Sequence, residues 1–377
     1  MKFVFAFVIC AVVSGCTSIS SSPRRFVIEE SWVRSTTAKE FIGYRRMNRM
    51  APLIYKNMLI QSNSIDGIVS YNRVTGNEFW RLKLRNGVEG GAVIADERLY
   101  FGASDGNFYC VDPTNGKVLW SFATHVETLA SPTVEKSVVY FETAVGVVYA
   151  LDAITGKQIW LYNRGTTQNL TVRAGTQPVI DGENLLVGFS DGFLVSLRKR
   201  DGILVWDKKL AFTGRFKDVD STPVIDDNRL YVSSFDGALY CLKRENGEIN
   251  WQHDEGGYTA AVILQDRLFY ATSNGLIQAL DKVSGKVLWS HPVKKGIATQ
   301  PNLFRGYLIY GESEAGLVVA NAETGKLIAR FDPGHGLVAQ PTVDKVNGDV
   351  FFISNSANIF AMKFKFERSA ERFPWQN

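Results

Sequence analysis

The sequence predicts an all-β fold, an eight-bladed β-propeller of four-stranded antiparallel blades, with the ring closed by an N-terminal strand pairing into the last blade. Three observations carry this. A Gly that opens an apolar strand is followed by a second Gly and then a Trp in successive units ending at Trp80, Trp120, Trp160, Trp206, Trp251 and Trp289. The second glycines, Gly76, Gly116, Gly156, Gly202, Gly247, Gly285 and Gly325, recur with a period close to 40 residues. Only short apolar strands and Gly-containing turns lie between them, without helical periodicity. Finally, the chain ends in a unit that never reaches its turn and Trp, while Trp32 precedes any strands of its own. Each end supplies what the other lacks.

At the N-terminus, Lys2 gives a positive start and Phe3 to Val13 an apolar run too short to span a bilayer. Small residues follow, and the stretch "VSGC", Val13 to Cys16, resembles the bacterial lipobox. That resemblance implies a signal peptide over residues 1–15 and acylation of Cys16, the lipidation site. Thr17 rather than Asp after the cysteine implies sorting to the outer membrane. The polar tract that follows predicts a flexible tether over 16–27, with the propeller over 28–366 and a tail over 367–377. No later run is apolar and long enough to cross a bilayer, so the expected location is the outer membrane, lipid-anchored and facing the periplasm.

The fourth unit shows how each blade is read. Its strands are expected near Gln177 to Ile180, Asn184 to Phe189, Phe193 to Arg198 and Ile203 to Asp207, with "SDG" and "RDG" as hairpin turns. The seventh unit, "AGLVVANAETGKLIA", has Ala329 where Trp is expected. The eighth begins at Ser356 and needs Trp32 to complete it. Four residues after the strand-opening Gly stand Cys110, Ala150, Ser196, Cys241, Ala279 and Ala320, with Ser70 offset by one and Ala361 in the last unit. A small residue at one repeated depth lets facing sheets approach while the Trp column fills the wider gap. Cys110 and Cys241 are therefore expected to be free, buried thiols.

Composition narrows function. With 42 Lys+Arg against 38 Asp+Glu the formal charge is +4, and no basic block is present to neutralise phosphates, so nucleic acid is excluded as a partner. His125, His253, His291 and His335 lack the paired spacing of a metal site. Asp218 and Asp220 in "DVD" fall short of the six to eight oxygens that Ca²⁺ takes. No nucleophile elbow, phosphate loop or zinc-type cysteine pair occurs, so neither catalytic residue, metal nor cofactor is expected.

The units "ALDAITGKQIW" and "ALDKVSGKVLW" are similar to the repeat named for pyrroloquinoline quinone enzymes, from about Trp32 to Phe364. Quinone-dependent dehydrogenases carry adjacent cysteines, bound calcium and large insertions, whereas this chain has no Cys-Cys pair and near-minimal blades. An eight-bladed lipoprotein of this kind resembles the BamB family of outer-membrane assembly lipoproteins. "LTVRAGTQP", Leu170 to Pro178, is similar to that family's Leu-x-Leu-Arg stretch, with Val172 for the second leucine, and "RFKDVDSTP" to its Arg-x-x-Asp-x-Asp stretch. The resemblance implies a non-enzymatic scaffold that belongs to the Bam complex, binds the POTRA domains of BamA through these stretches and assists insertion of barrel proteins. Contact with unfolded barrel proteins stays open. Two other readings also stay open, a quinone-dependent dehydrogenase and a glycan-binding propeller; an aromatic cluster at the mouth of the central channel would count for the second.

Loop lengths point to the same surface. From Trp to the next strand-opening Pro takes 12 residues at Trp120–Pro132 and Trp289–Pro301, but 18 at Trp160–Pro178 and 17 at Trp206–Pro223. Insertions on one face of a repeat protein mark a binding face. Leu170, Val172, Arg173, Asp218 and Asp220 are the expected partner-binding residues, with the aspartates holding Arg173 or Arg215, or meeting a basic partner.

Overall fold

In a computed structural model, residues 24–38, 47–165, 175–211, 216–235 and 237–368 are described. The signal region, Cys16, Leu170, Val172, Arg173, Arg215 and residues 369–377 lie outside them. The strands form eight four-stranded antiparallel sheets. Blade one runs from Leu53–Tyr55 to Glu78–Lys83, blade four from Val179–Asp181 to Leu204–Lys209, and blade seven from Asn302–Phe304 to Leu327–Phe331. Within blade four the observed strands start within two residues of the expected ones.

Blade eight takes three strands from the C-terminal end and its outermost from the N-terminus: Arg24–Ser35 pairs antiparallel with Asn358–Arg368. The expected closure is present. This strand begins at Arg24, inside the stretch assigned to the tether, because Phe26 and Ile28 alternate inward onto blade seven. Phe26 lies 5.6 Å from the Tyr307 ring and 5.0 Å from that of Phe364.

Hydrophobic clusters sit between blades rather than within them. One joins Tyr140, Val148, Ala150 and Trp160 of the third blade to Leu185, Val187, Phe189, Val195 and Leu197 of the fourth. The Trp column makes the contacts between neighbours. Each Trp ring covers the Gly in the turn before the outermost strand of the next blade: a Cβ on Gly116 would fall 2.5 Å from the Trp80 ring, and one on Gly202 2.6 Å from that of Trp160. Both glycines also need positive φ, +75° and +70°. The indole N–H of Trp80 donates to the Pro113 carbonyl at 3.0 Å and that of Trp160 to the Lys199 carbonyl at 2.7 Å. Trp32 donates likewise to the Arg73 carbonyl at 3.1 Å, so the closing strand docks by the same contact.

The small residues face the Trp residues directly across the strand pair: Cys110 opposite Trp120, Ala150 opposite Trp160, and Ala361 opposite Trp32, with a bulge beside each pair. Ala320 does not belong to this column. Its unit is one residue shorter before the second Gly, so Val319 faces Ala329 and Ala320 faces Leu327. The missing Trp at 329 has a physical reason. A Trp there would need the turn glycine of blade eight, and that turn does not exist because the two outer strands of blade eight come from opposite ends of the chain. Phe26, Ile28 and Phe364 instead pack with Ala329 and Phe331 against a cluster containing Phe304, Phe352 and Phe360. Phe352 and Phe360 stack at 4.9 Å.

Cys110 and Cys241 are free and buried, as expected, and burial raises both thiols above their ordinary pKa. Among the described residues no helix is long and apolar enough to cross a membrane.

Two outcomes check this packing. Trp32→Ala should destabilise by about 3–5 kcal/mol, as large aromatic deletions do, whereas Ala329→Trp, although it restores the repeat, should overpack the blade seven to eight junction and cost about 1–3 kcal/mol. Urea unfolding measures both; a stabilised Ala329→Trp variant would overturn the account of closure. Thiol titration of the chain from Arg24 onward should label neither cysteine quickly in the folded state and both after denaturation.

Candidate functional site

Because strands alternate up and down, the connection leaving each outermost strand emerges on the same face as the turn between the second and third strands. On this face the described parts of the connections line the mouth of the central channel. Of the three long connections, which leave blades three, four and eight, those after blades three and four are fastened together there. Thr176 donates through its hydroxyl to the Val219 carbonyl at 2.7 Å, and its N–H donates to Glu142 at 3.2 Å. The Val219 N–H donates to the Phe189 carbonyl at 3.1 Å, and the Phe235 N–H to the Asp218 carbonyl at 3.0 Å. The side-by-side placement read from loop length is therefore present.

Asp218 and Asp220 were expected on a projecting patch, and here the structure differs. They are 1% and 7% exposed, because the bonds at Val219 draw the segment into the channel wall. Burial and the neighbouring Asp218 push the Asp220 carboxyl up to about 8, against the pull of Arg49 and a hydrogen bond from the Gly175 N–H. Oδ2 of Asp220 has no hydrogen-bond partner. Glu142, also buried, is raised well above the usual carboxylate range by burial, with Asp220, Asp191 and Asp218 adding to the shift. Neither Glu142 nor its role was legible in "FETA", since nothing local marks that glutamate as buried.

Arg164, at the start of the first long connection, was also missed. Its guanidinium donates to Asp191 at 2.6 Å, lies 3.4 Å from Asp207 and sits 4.2 Å over the Phe193 ring. It ties the outermost strand of blade three to blade four, fixing where the connection departs. Its position right after the Trp-bearing strand was the available signal.

The channel mouth holds a cavity of about 430 Å³. Arg49 reaches into it, 3.4 Å from Glu89, and its charge acts on Asp220 and Tyr258. Of the histidines, His253 shares a hydrogen bond with Gln278 at 3.0 Å and His291 packs on Trp289 at 5.5 Å. Among the described residues no group of three or more His, Cys, Asp and Glu is placed to hold a metal ion.

A sequence model of the family described as "Outer membrane protein assembly factor BamB" matches residues 66–291 and 273–363. The chain belongs to the BamB family. It is 25% identical over 324 residues to the BamB of Shewanella oneidensis, covering 79% of this chain and 81% of that one. With the BamB of Salmonella typhimurium it shares 24% over 348 residues, 88% of each chain. The crystal structure of BamB from Moraxella catarrhalis matches with a TM-score of 0.76 at 21% identity, covering 90% of this chain and 100% of that one. Quinohemoprotein alcohol dehydrogenase from Comamonas testosteroni matches at 0.73 and 14% identity, covering 92% and 77%. Likeness at such identity is one of fold. The cysteines of this chain, at 10, 16, 110 and 241, include no adjacent pair, so its residues do not fit the quinone site of those enzymes.

The buried acid gives a testable pH dependence. An acid whose folded pKa is raised favours the protonated fold, so its contribution to stability is lost as pH rises from about 4 toward about 8. Asp220→Asn should remove that loss and narrow the difference in melting temperature between pH 6 and pH 9 by a few degrees. An unchanged difference would show that Asp220 is ionised throughout.

Proposed function

We propose that this BamB-family propeller is a non-enzymatic scaffold of the outer-membrane β-barrel assembly machinery. It is held at the outer membrane by lipid on Cys16, faces the periplasm and binds the POTRA domains of BamA. Acylation with several chains would hold it firmly, where one chain binds only marginally. The names of its relatives, outer membrane protein assembly factors, support the coarse assignment. The observation that carries the finer one is that the long connections after blades three and four are bonded to each other at Thr176 and Val219, among buried carboxylates.

Those carboxylates give the patch its logic. Glu142, Asp218 and Asp220 form a desolvated acidic floor, and a guanidinium from the first long connection is proposed to pair with the carboxyls there. Arg173 is the residue proposed for this, ordered before the partner arrives and so lowering the entropic cost of association. Leu170 and Val172 are proposed to supply the apolar contact. In this reading the aspartates position Arg173 and do not meet the partner themselves.

Arg173→Ala should weaken copurification of the full lipoprotein with BamA by roughly thirtyfold or more, as removal of one member of a desolvated charge pair does. Leu170→Ala and Asp220→Ala should weaken it less, and the exposed Lys286→Ala not at all. Intact binding by both Arg173→Ala and Asp220→Ala, measured on folded protein, would remove the site.

A further inference from the structure

We infer that the channel mouth is a binding site for a neutral saccharide. The inference does not rest on the assembly reading. The cavity's volume of about 430 Å³ falls within the range of small-molecule sites. Its wall has an unusual chemistry. Three primary amides, Gln177, Gln300 and Gln340, converge on it with the hydroxyls of Ser131, Thr222 and Thr259. The Gln300 and Gln340 amides each offer two donors and an acceptor. Gln177, whose Nε2 already donates to the Pro132 carbonyl at 3.5 Å and the Thr133 hydroxyl at 3.3 Å, offers its acceptor, and each hydroxyl offers one donor. Thr259 is 6% exposed and its hydroxyl has no hydrogen-bond partner, and Oδ2 of Asp220, 7% exposed, has none either. A buried polar atom without a partner costs free energy that a ligand hydroxyl would recover.

One side of the mouth is aromatic. Phe216 meets Phe235 edge-on at 5.9 Å, and Phe235 meets Tyr258 at 6.4 Å. The Tyr258 hydroxyl donates to the Ala298 carbonyl at 3.2 Å, which holds its ring against the cavity. A flat apolar face beside convergent amides and hydroxyls suits a pyranose, whose C–H face packs on a ring while its rim of hydroxyls seeks donors and acceptors.

Charge and backbone narrow the choice further. Arg49 is balanced by Glu89 at 3.4 Å, and burial holds the Asp220 carboxyl toward its neutral form, so the cavity favours neither an anion nor a cation. The mouth is lined by connections between blades and not by a free strand edge, which removes the usual way of holding an extended peptide.

The test uses the full lipoprotein in a zwitterionic detergent without a sugar headgroup. Saturation-transfer NMR and calorimetry would be run with maltotriose and with N,N′-diacetylchitobiose. At least one should bind saturably with a Kd of about 1 mM or tighter, and Tyr258→Ala and Gln300→Ala should each weaken it by about tenfold. Gln300→Ala decides the matter if Tyr258→Ala fails to fold, and both should leave copurification with BamA unchanged. Absence of saturable binding by either sugar, or binding indifferent to Gln300→Ala, would overturn the inference. So would binding of acetyl-Phe-Ala-Phe amide where neither sugar binds.

Discussion

The ring stands on the contact between a tryptophan and a glycine. Each indole on an outermost strand lies flat on the turn of the following blade, where any side chain larger than hydrogen would collide with it. The indole N–H can then reach a carbonyl in the same turn, as in five of these pairs, from Trp32 to Trp289. One contact thus joins apolar burial, a hydrogen bond and a positive-φ glycine, and it sets the rotation from blade to blade. Loss of either partner affects two blades at once.

That contact also explains where the repeat fails. Seven junctions have a turn for the Trp to cover, and the eighth cannot, since blade eight is assembled from both ends of the chain. The long pairing of Arg24–Ser35 with Asn358–Arg368 replaces it, laying Phe26, Ile28 and Phe364 over blade seven. Ala329 and Val319 are therefore consistent with each other: with the indole gone, its cross-strand neighbour no longer has to be small. Trp32 meanwhile makes the standard contact onto blade one, so closure is held on both sides of the last blade.

On the face where the connections converge, backbone geometry and charge act together. Hydrogen bonds at Thr176 and Val219 bring the long connections after blades three and four into register, and the same bonds pull Asp218 and Asp220 out of water beside Glu142. Burial raises the pKa of Glu142 and Asp220, and the neighbouring carboxylates add to the shift. The proposed role of Arg173 is to pair with these acids, and the saccharide inferred for the mouth draws chiefly on Tyr258, Thr259 and Gln300, farther around the ring, sharing only Asp220, so Arg173 and Gln300 tell the two apart. The two proposals can therefore stand or fall separately.

The sequence alone determined the number of blades, their order, the closing strand and the free buried thiols, because each follows from a period that local chemistry enforces: Gly for the turn, Trp for the gap, a small residue opposite it. It also marked the long connections after blades three and four, since length is visible without coordinates. Only the tertiary structure decided that Asp218 and Asp220 face inward, that Glu142 joins them, that Arg164 anchors the first connection, and that Val319 rather than Ala320 faces position 329. Burial of a polar residue on a connection depends on backbone partners distant in sequence, such as Phe189 for Val219, and a one-residue shift in strand register depends on the pairing itself. Neither leaves a periodic trace in the chain.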